Sequence, residues 1–368
     1  MSEFWNSRIK KLSPYVPGEQ PKDRQIIKLN TNENPYPPSP KVIEAIKNAA
    51  GERLRLYPDP ECATFREAAA ARYGVKPQQV FAGNGSDEIL AFAFGAFFES
   101  GEKAAQILFP DITYSFYPVY ANLWDIPYRT IALAEDFSIN IADYKIPLGG
   151  GGTCGGVIFP NPNAPTGVAV TLDDILSLAE FLEKQEKVLI VDEAYIAFSG
   201  APNAKSAVRS INNHPNLLTV HTLSKSASLA GLRFGFAIGN EKLIEGLCRV
   251  RDSFNSYTLD FLALTGAAAA VSDTAYYDEI TNRVIATRDR TAGALRNLGF
   301  TVLPSSANFL FVKPPRISGA ELFAALRRRG ILVRHFNKDR IADYLRVSIG
   351  TDEHMDKVLE ACREIMSN

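Results

Sequence analysis

Four side chains in this sequence have the types and spacing of a single chemical task. Lys225 follows Thr222-Leu223-Ser224, and Arg233 stands eight positions on. Asp192 and Tyr195 lie upstream in Val191-Asp192-Glu193-Ala194-Tyr195, and each group closes or follows a short apolar run. These side chains supply an amine, a fixed cation, a carboxylate and a phenol. Pyridoxal 5′-phosphate needs that set: an amine to condense with its aldehyde, a carboxylate to keep its ring nitrogen protonated, a phenol on O3′, and cations or helix-end amides for its phosphate. Taken singly, each residue has a blander reading: a lysine after a strand, an aspartate capping a helix, a packed tyrosine, an arginine in a surface salt bridge. The combination points to the cofactor.

The elements that must carry these groups can be read from the apolar pattern. Stretches over residues 104–109, 156–159, 188–191, 217–220 and 234–238 are separated by helix-length segments. That is the pattern of a mostly parallel sheet with both faces covered, and so of an α/β fold. Periodicity predicts helices over 41–50 and 62–73, and Ser86 is expected to cap a third helix running through Ile89, Phe92 and Phe97. Gly83-Asn84-Gly85-Ser86-Asp87 opens that helix with small residues, so its amides can approach an anion. Alone, this turn is a weak signal. The run Gly149–Gly152 precedes a strand instead, lacks a helix dipole, and reads as a flexible surface connection.

Beyond Leu264 an Ala-rich helical run reaches Asn297, after which 302–312, 319–329 and 345–349 alternate strand and helix as a smaller α+β unit. From Ser13 to Pro40 the chain is a Pro-rich irregular arm. The expected division is therefore an arm over 1–40 packing on the site and small domain, a large cofactor-binding domain over 41–264, and a small C-terminal α+β domain over 265–368.

Composition narrows the class of function. A chain of 368 residues at 46% hydrophobic exceeds one compact core. Forty basic and 41 acidic residues, net −1, give no electrostatic reason to expect nucleic acid or an anionic membrane. Cys62, Cys154, Cys248 and Cys362 are scattered without Cys-x-x-Cys spacing, and the four histidines form no His-x-x-x-His pair, so no metal is expected. The polar N-terminus lacks the apolar core of a signal peptide, and no segment is long and uncharged enough to span a bilayer. The reading is a cytoplasmic enzyme acting on small molecules.

Asn161-Pro162-Asn163-Ala164-Pro165-Thr166-Gly167, with the Asp192 and Lys225 motifs and Arg233, resembles the class I/II aminotransferases of pyridoxal-phosphate fold type I. The match spans nearly the whole chain. Asn30-Thr31-Asn32-Glu33-Asn34-Pro35, Tyr57-Pro58-Asp59, 252–257 and Tyr344–Gly350 are most similar to the histidinol-phosphate aminotransferase family. The resemblance implies that Lys225 holds the cofactor and then carries a proton, and that Asp192 pairs with the ring nitrogen. It implies that Tyr195 reaches O3′ and that Tyr114 stacks on the ring. The phosphate would be held by Ser224, Arg233 and the amides around Gly85, Ser86 and Asp87. Tyr57 would reach across a homodimer interface to the partner's cofactor phosphate. Arg346 would grip the carboxylate of glutamate, with Tyr15, Asn30 and Arg334 binding histidinol phosphate.

One position departs from the family pattern. Ala164 stands where an asparagine usually precedes Pro-Thr-Gly, and Asn163 is the candidate to replace it as the O3′ donor. The implied reaction exchanges an amino group between histidinol phosphate and 2-oxoglutarate. An aromatic amino-acid aminotransferase and a threonine-phosphate decarboxylase of the same fold are the alternatives. A ligand-sensing module attached to a DNA-binding domain has little support, because the arm before Lys41 is too short for a helix-turn-helix and the charge is balanced.

Overall fold

The structure, a computed structural model, describes residues 3–15, 18–21, 25–145 and 154–367. The glycine run Gly149–Gly152 lies outside the described residues. In chain order come helix α1 (Ser7–Lys11), strand β1 (Ile27–Lys28), α2 (Pro40–Ala49), α3 (Ala63–Tyr73), β2 (Val80–Gly83), α4 (Gly85–Phe97), β3 (Ile107–Pro110), α5 (Tyr117–Trp124) and β4 (Tyr128–Ile131). They are followed by β5 (Gly156–Pro160), α6 (Leu172–Glu183), β6 (Leu189–Asp192), β7 (Leu217–Thr222), β8 (Gly235–Gly239), α7 (Glu241–Phe254) and α8 (Phe261–Ser272). The last part holds α9 (Thr274–Asn297), β9 (Thr301–Val302), β10 (Phe309–Lys313), α10 (Gly319–Arg328), β11 (Ile331–Leu332), β12 (Arg334–His335), β13 (Leu345–Ser348) and α11 (Asp352–Ser367).

A seven-stranded sheet in the order β2-β8-β7-β6-β5-β3-β4 organises the larger part. Strands β3 to β7 pair in parallel, while β8 is antiparallel to both β7 and β2. The expected mostly parallel α/β sheet is what forms, mixed only through β8 and flanked by helices. Its alternation explains why: Ile158 and Ile190 face the layer of α4, α5 and α7, whereas Val157, Phe159, Leu189 and Val191 face α6. Two strands of this sheet escape the sequence reading, the short β2 behind its Pro77 turn and the edge strand β4, whose middle residues are exposed. The expected cap is also displaced. Helix α4 begins at Gly85 with Asn84 at the N-cap and no side-chain cap bond, so Ser86 lies inside the first turn. The left-handed φ of +81° at Gly85 makes that early start possible.

A second sheet, β12-β13-β10-β9, packs with α9, α10 and α11 around its own core of Leu310, Val347, Leu322, Met355 and Leu359. The arm joins that unit: β1 pairs in parallel with β11, and Leu29 enters the same core. The expected boundary after Leu264 falls inside α8, whose Ala263, Leu264, Ala267, Ala270 and Val271 pack with α2, α3 and the β2–β8 edge of the large sheet. The Ala-rich run is two helices, broken at Asp273, which accepts hydrogen bonds from Ser39 and Lys41 at the start of α2. No helix among the described residues is long and apolar enough to cross a membrane.

Candidate active site

The C-terminal ends of β5, β6 and β7 open on one face of the sheet, and a cavity of about 300 Å3 lies there. Ser86, Asp87, Tyr114, Asp192, Tyr195, Ser224, Lys225 and Arg233 all line it. The sheet delivers them from separate places. Asp192 is the last residue of β6, Lys225 follows β7 by three residues, Tyr114 follows β3, and Ser86 sits in the first turn of α4. A larger concavity of about 670 Å3, bounded by α2, α3 and α8, contains none of them.

The carboxylate of Asp192 is buried and accepts hydrogen bonds from the Ala194 amide (3.2 Å) and the Tyr117 hydroxyl (3.2 Å). No cation pairs with it among the described residues. Burial, only partly opposed by those two bonds, pushes its pKa up to about 7. Lys225 donates to the Thr31 carbonyl (3.0 Å). Desolvation, aided by the nearby Arg346 guanidinium and opposed by Glu33 and Asp87, brings its amine down to about 8. A buried acid without a cation and an amine made easier to deprotonate therefore face one small space.

The anion end is built by close approach. A Cβ on Gly235 would come within 2.4 Å of the Ser86 amide nitrogen, and one on Gly85 within 2.8 Å of an Arg233 guanidinium nitrogen. Glycine at both positions lets the N-terminus of α4 and Arg233 share one cradle. Arg233 is held at a left-handed φ of +57° and meets the Asp87 carboxylate at 3.3 Å. Asp87 also accepts from the Tyr114 hydroxyl (2.6 Å), so its side chain is already engaged and its backbone amide is what an anion would meet. The Ser224 hydroxyl accepts from Thr222 (3.0 Å) and keeps its own hydrogen to donate.

These observations fit pyridoxal 5′-phosphate. The buried carboxylate without a cation suits a pyridinium nitrogen, and the glycine-lined helix end with Arg233 and Ser224 suits a phosphate. Asn163 does not fit the role expected of it. It is fully buried, its amide donates both hydrogens, to the Ile112 carbonyl (3.0 Å) and the Thr166 hydroxyl (3.0 Å), and Ala164 is what lines the cavity. An amide with both hydrogens already spent, one within its own turn and one on the Ile112 carbonyl, has none to donate to O3′.

The remaining expected residues lie around the cavity and not in its wall. Arg346 donates to the Asn30 carbonyl (2.9 Å), and its Nε is buried without a partner. Arg334 is its direct cross-strand partner on β12, and neither arginine has a carboxylate partner among the described residues. Like charges placed opposite each other in a sheet repel. Asn30 is buried with its Oδ1 unpartnered, and its amide donates to the Glu19 carbonyl (2.8 Å). Tyr15 packs on Phe116 at 4.3 Å between ring centroids. Tyr57 stacks on Tyr257 (4.7 Å), is 83% exposed and stays outside the cavity of its own chain.

Three contributors had no role in the sequence reading. Gly235 carries no local signal, because only the approach of α4 to β8 makes its missing side chain matter. Tyr117 looks like a core aromatic of α5 until its hydroxyl is seen on Asp192. Asn32 donates to the Tyr195 hydroxyl oxygen (2.9 Å) from 163 positions away.

The family model for aminotransferase class I and II matches residues 24–362. The chain belongs to the class I and II aminotransferases. It is 52% identical over 368 residues to the histidinol-phosphate aminotransferase of Clostridium acetobutylicum, with all of both chains covered. It is equally close, 52% with full coverage of both, to histidinol-phosphate aminotransferase 1 of Bordetella parapertussis. In fold it matches the histidinol-phosphate aminotransferase of Sinorhizobium meliloti, solved with pyridoxal-5′-phosphate, at a TM-score of 0.85 and 23% identity over 100% of this chain and 98% of that one. The fold is that of the pyridoxal-phosphate fold type I aminotransferases, and the enzyme is a pyridoxal-phosphate-dependent transaminase.

For this aminotransferase the amine titration is directly measurable. Lys225 is a nucleophile only when neutral, so covalent uptake of pyridoxal phosphate by cofactor-free protein is expected to speed up with rising pH. Its rate should be half-maximal near pH 8 and flat above pH 9. Stopped-flow absorbance checks this; a midpoint near 10.5, the ordinary value for lysine, would mean that the cavity does not desolvate Lys225.

Proposed function

We propose that the enzyme interconverts histidinol phosphate and 2-oxoglutarate with imidazole acetol phosphate and glutamate, a step of histidine biosynthesis. The observation that carries this reading is the Arg334–Arg346 pair. Two cross-strand arginines without a carboxylate, each guanidinium 5.6 Å from the Phe336 ring centroid and one with an orphaned buried Nε, make an anchor for an anion. A phosphate monoester and a distal carboxylate both present such an anion, so one anchor serves both substrates. The relatives at about half identity over their full length are named for the same donor.

When bound, pyridoxal phosphate supplies an electron sink for the pair of electrons left at the substrate Cα. The roles proposed for the protein follow from its geometry. Asp192 keeps a cation on the ring nitrogen and Tyr195 addresses O3′. Tyr114 packs on the ring face. Ser86, Asp87 and Gly85 through their backbone, with Ser224 and Arg233, hold the phosphate. Arg346 and Arg334, flanked by Tyr15 and Asn30, fix the anionic end of the substrate. Lys225 Nζ, neutral above about pH 8 and hydrogen-bonded to Thr31, removes the Cα proton of the donor.

The deciding experiment is the absorbance spectrum of the cofactor-loaded enzyme. Histidinol phosphate alone should convert the visible band to that of the amine form, and 2-oxoglutarate should restore it. Conversion by phenylalanine but not histidinol phosphate would make it an aromatic aminotransferase, and carbon dioxide release from threonine phosphate a decarboxylase. In steady state, Arg346→Lys should lower kcat/KM for both substrates by about 100-fold, since a bidentate contact to a carboxylate or phosphate becomes a point charge and such charged bonds are worth about 1.5–3 kcal/mol. An unchanged value would move the anion anchor elsewhere.

A cytoplasmic homodimer with composite sites completes the proposal. Leu54, Leu56, Tyr57, Phe254 and Tyr257 are exposed, Tyr57 stacks on Tyr257, and Tyr57 does not line the cavity of its own chain. Sedimentation should give a mass of twice 40.4 kDa, and a stable active monomer would refute the composite site. We place the division between the large and small domains within α9, because Tyr277 and Ile280 pack with the first core whereas Val284 and Leu295 pack with the second. Limited proteolysis fragments that fold separately on either side would test it.

A further inference from the structure

We propose that Asn32 is a positioning residue for Tyr195, aiming the phenolic hydrogen at the cofactor's O3′ and taking over the support that the absent asparagine at Ala164 and the inward-turned Asn163 do not give. This rests on the cofactor reading above, but not on the identity of the substrate.

The geometry around Asn32 is closed on every side but one. Asn32 is 1% exposed at a left-handed φ of +57°. Its backbone N–H donates to the Ser348 hydroxyl (2.9 Å), which donates in turn to the Asn32 Oδ1 (2.9 Å), and its carbonyl accepts from the Asn308 amide (2.9 Å). That ring sets the orientation of the side-chain amide. Turned the other way, the Ser348 hydroxyl would face two donors and its own hydrogen would lose its acceptor. The amide nitrogen is therefore the atom that meets Tyr195, and it donates to the phenolic oxygen (2.9 Å). With that lone pair filled, the phenolic hydrogen is left for an acceptor on the cavity side, where Tyr195 lines the wall.

The segment bearing Asn32 also touches the other working groups in consecutive order. The Asn30 carbonyl accepts from Arg346, the Thr31 carbonyl from Lys225, and the Asn32 side chain donates to Tyr195. Ser348, which fixes Asn32, lies two residues from Arg346 on β13. The anion anchor, the amine and the phenol are thus held on one short stretch of backbone.

The test is the pH midpoint of the visible band of the cofactor-loaded enzyme, without substrate. A phenol donating to O3′ stabilises the deprotonated oxygen and keeps the midpoint low. Asn32→Asp offers an acceptor where the donor stood and turns the phenolic hydrogen away. Asn32→Gly deletes the amide while tolerating the left-handed backbone. Both should raise the midpoint by about one pH unit, a tenfold change in the ionisation constant. Tyr195→Phe should raise it to a similar degree, and the uncharged Asn32→Gly in the Tyr195→Phe background should add nothing. Ser348→Ala, which frees the amide to turn over, should shift the midpoint in the same direction and gives a variant that leaves Asn32 in place should its substitutions not fold. An unshifted midpoint in Asn32→Asp and Asn32→Gly, or an equal shift with and without Tyr195, would overturn the proposal. Absence of the visible band in the wild-type protein would instead defeat the cofactor reading itself.

Discussion

Lys225→Ala is expected to abolish turnover, lowering kcat by at least about 10^4-fold, the upper range for loss of a positioned general base alone. The covalent attachment goes with it. The same change should leave the fold intact, because the Lys225 side chain is hydrogen-bonded to a single backbone carbonyl, that of Thr31, and its burial already disfavours the charged amine. Melting of the cofactor-free variant at pH 7 should therefore match or exceed that of wild type. Added methylamine should recover part of the rate in a concentration-dependent way, since a small amine can occupy the vacated space and accept the Cα proton. Turnover at wild-type levels without added amine would rule out Lys225 as the base.

Asp192→Asn is expected to move activity and stability in opposite directions. Breaking a buried ion pair costs about 3–5 kcal/mol, so loss of the carboxylate facing the ring nitrogen should lower kcat on the order of 10^3-fold and weaken cofactor retention. In the cofactor-free protein, however, the carboxylate is a liability. Its pKa rises from 3.8 in an ordinary setting to about 7 in the fold, so the folded state binds more protons than the unfolded one between those values. Stability from this group is then lost progressively as pH rises from about 4 to 7, and the full cost stands above 7. Asp192→Asn removes that cost. Calorimetry should find the cofactor-free variant more stable than wild type at pH 8, by a smaller margin at pH 5. A destabilised variant at pH 8 would mean that a cation already compensates Asp192.

The buried Glu193 beside it shows why adjacency in sequence does not assign function. Glu193 also has its pKa raised to about 7 by burial, yet it points to the other side of the sheet end, accepting from Ser206 (2.5 Å) and the Ala207 amide (2.8 Å) and facing a neutral His221 at 3.7 Å. The alternation of a strand sends consecutive residues to opposite faces. Asp192 reaches the cavity for the same reason that Glu193 does not.

The fold class was legible in the apolar pattern, and so was a set of side chains that the fold brings to one cavity. Lys225, Asp192, Tyr195 and Arg233 are legible because each follows or ends an apolar run, and local hydrophobic pattern decides where a strand ends and what its last residue is. The mostly parallel sheet follows from the same pattern. Contacts between residues far apart in the chain were not legible and emerge from packing. Asn163 spends an amide hydrogen on Ile112, Gly235 admits the end of α4, Tyr117 reaches Asp192, and Asn32 reaches Tyr195 across 163 residues. Hydrogen-bond direction and close backbone approach depend on three-dimensional packing, and neither has a period or a spacing that a sequence can display.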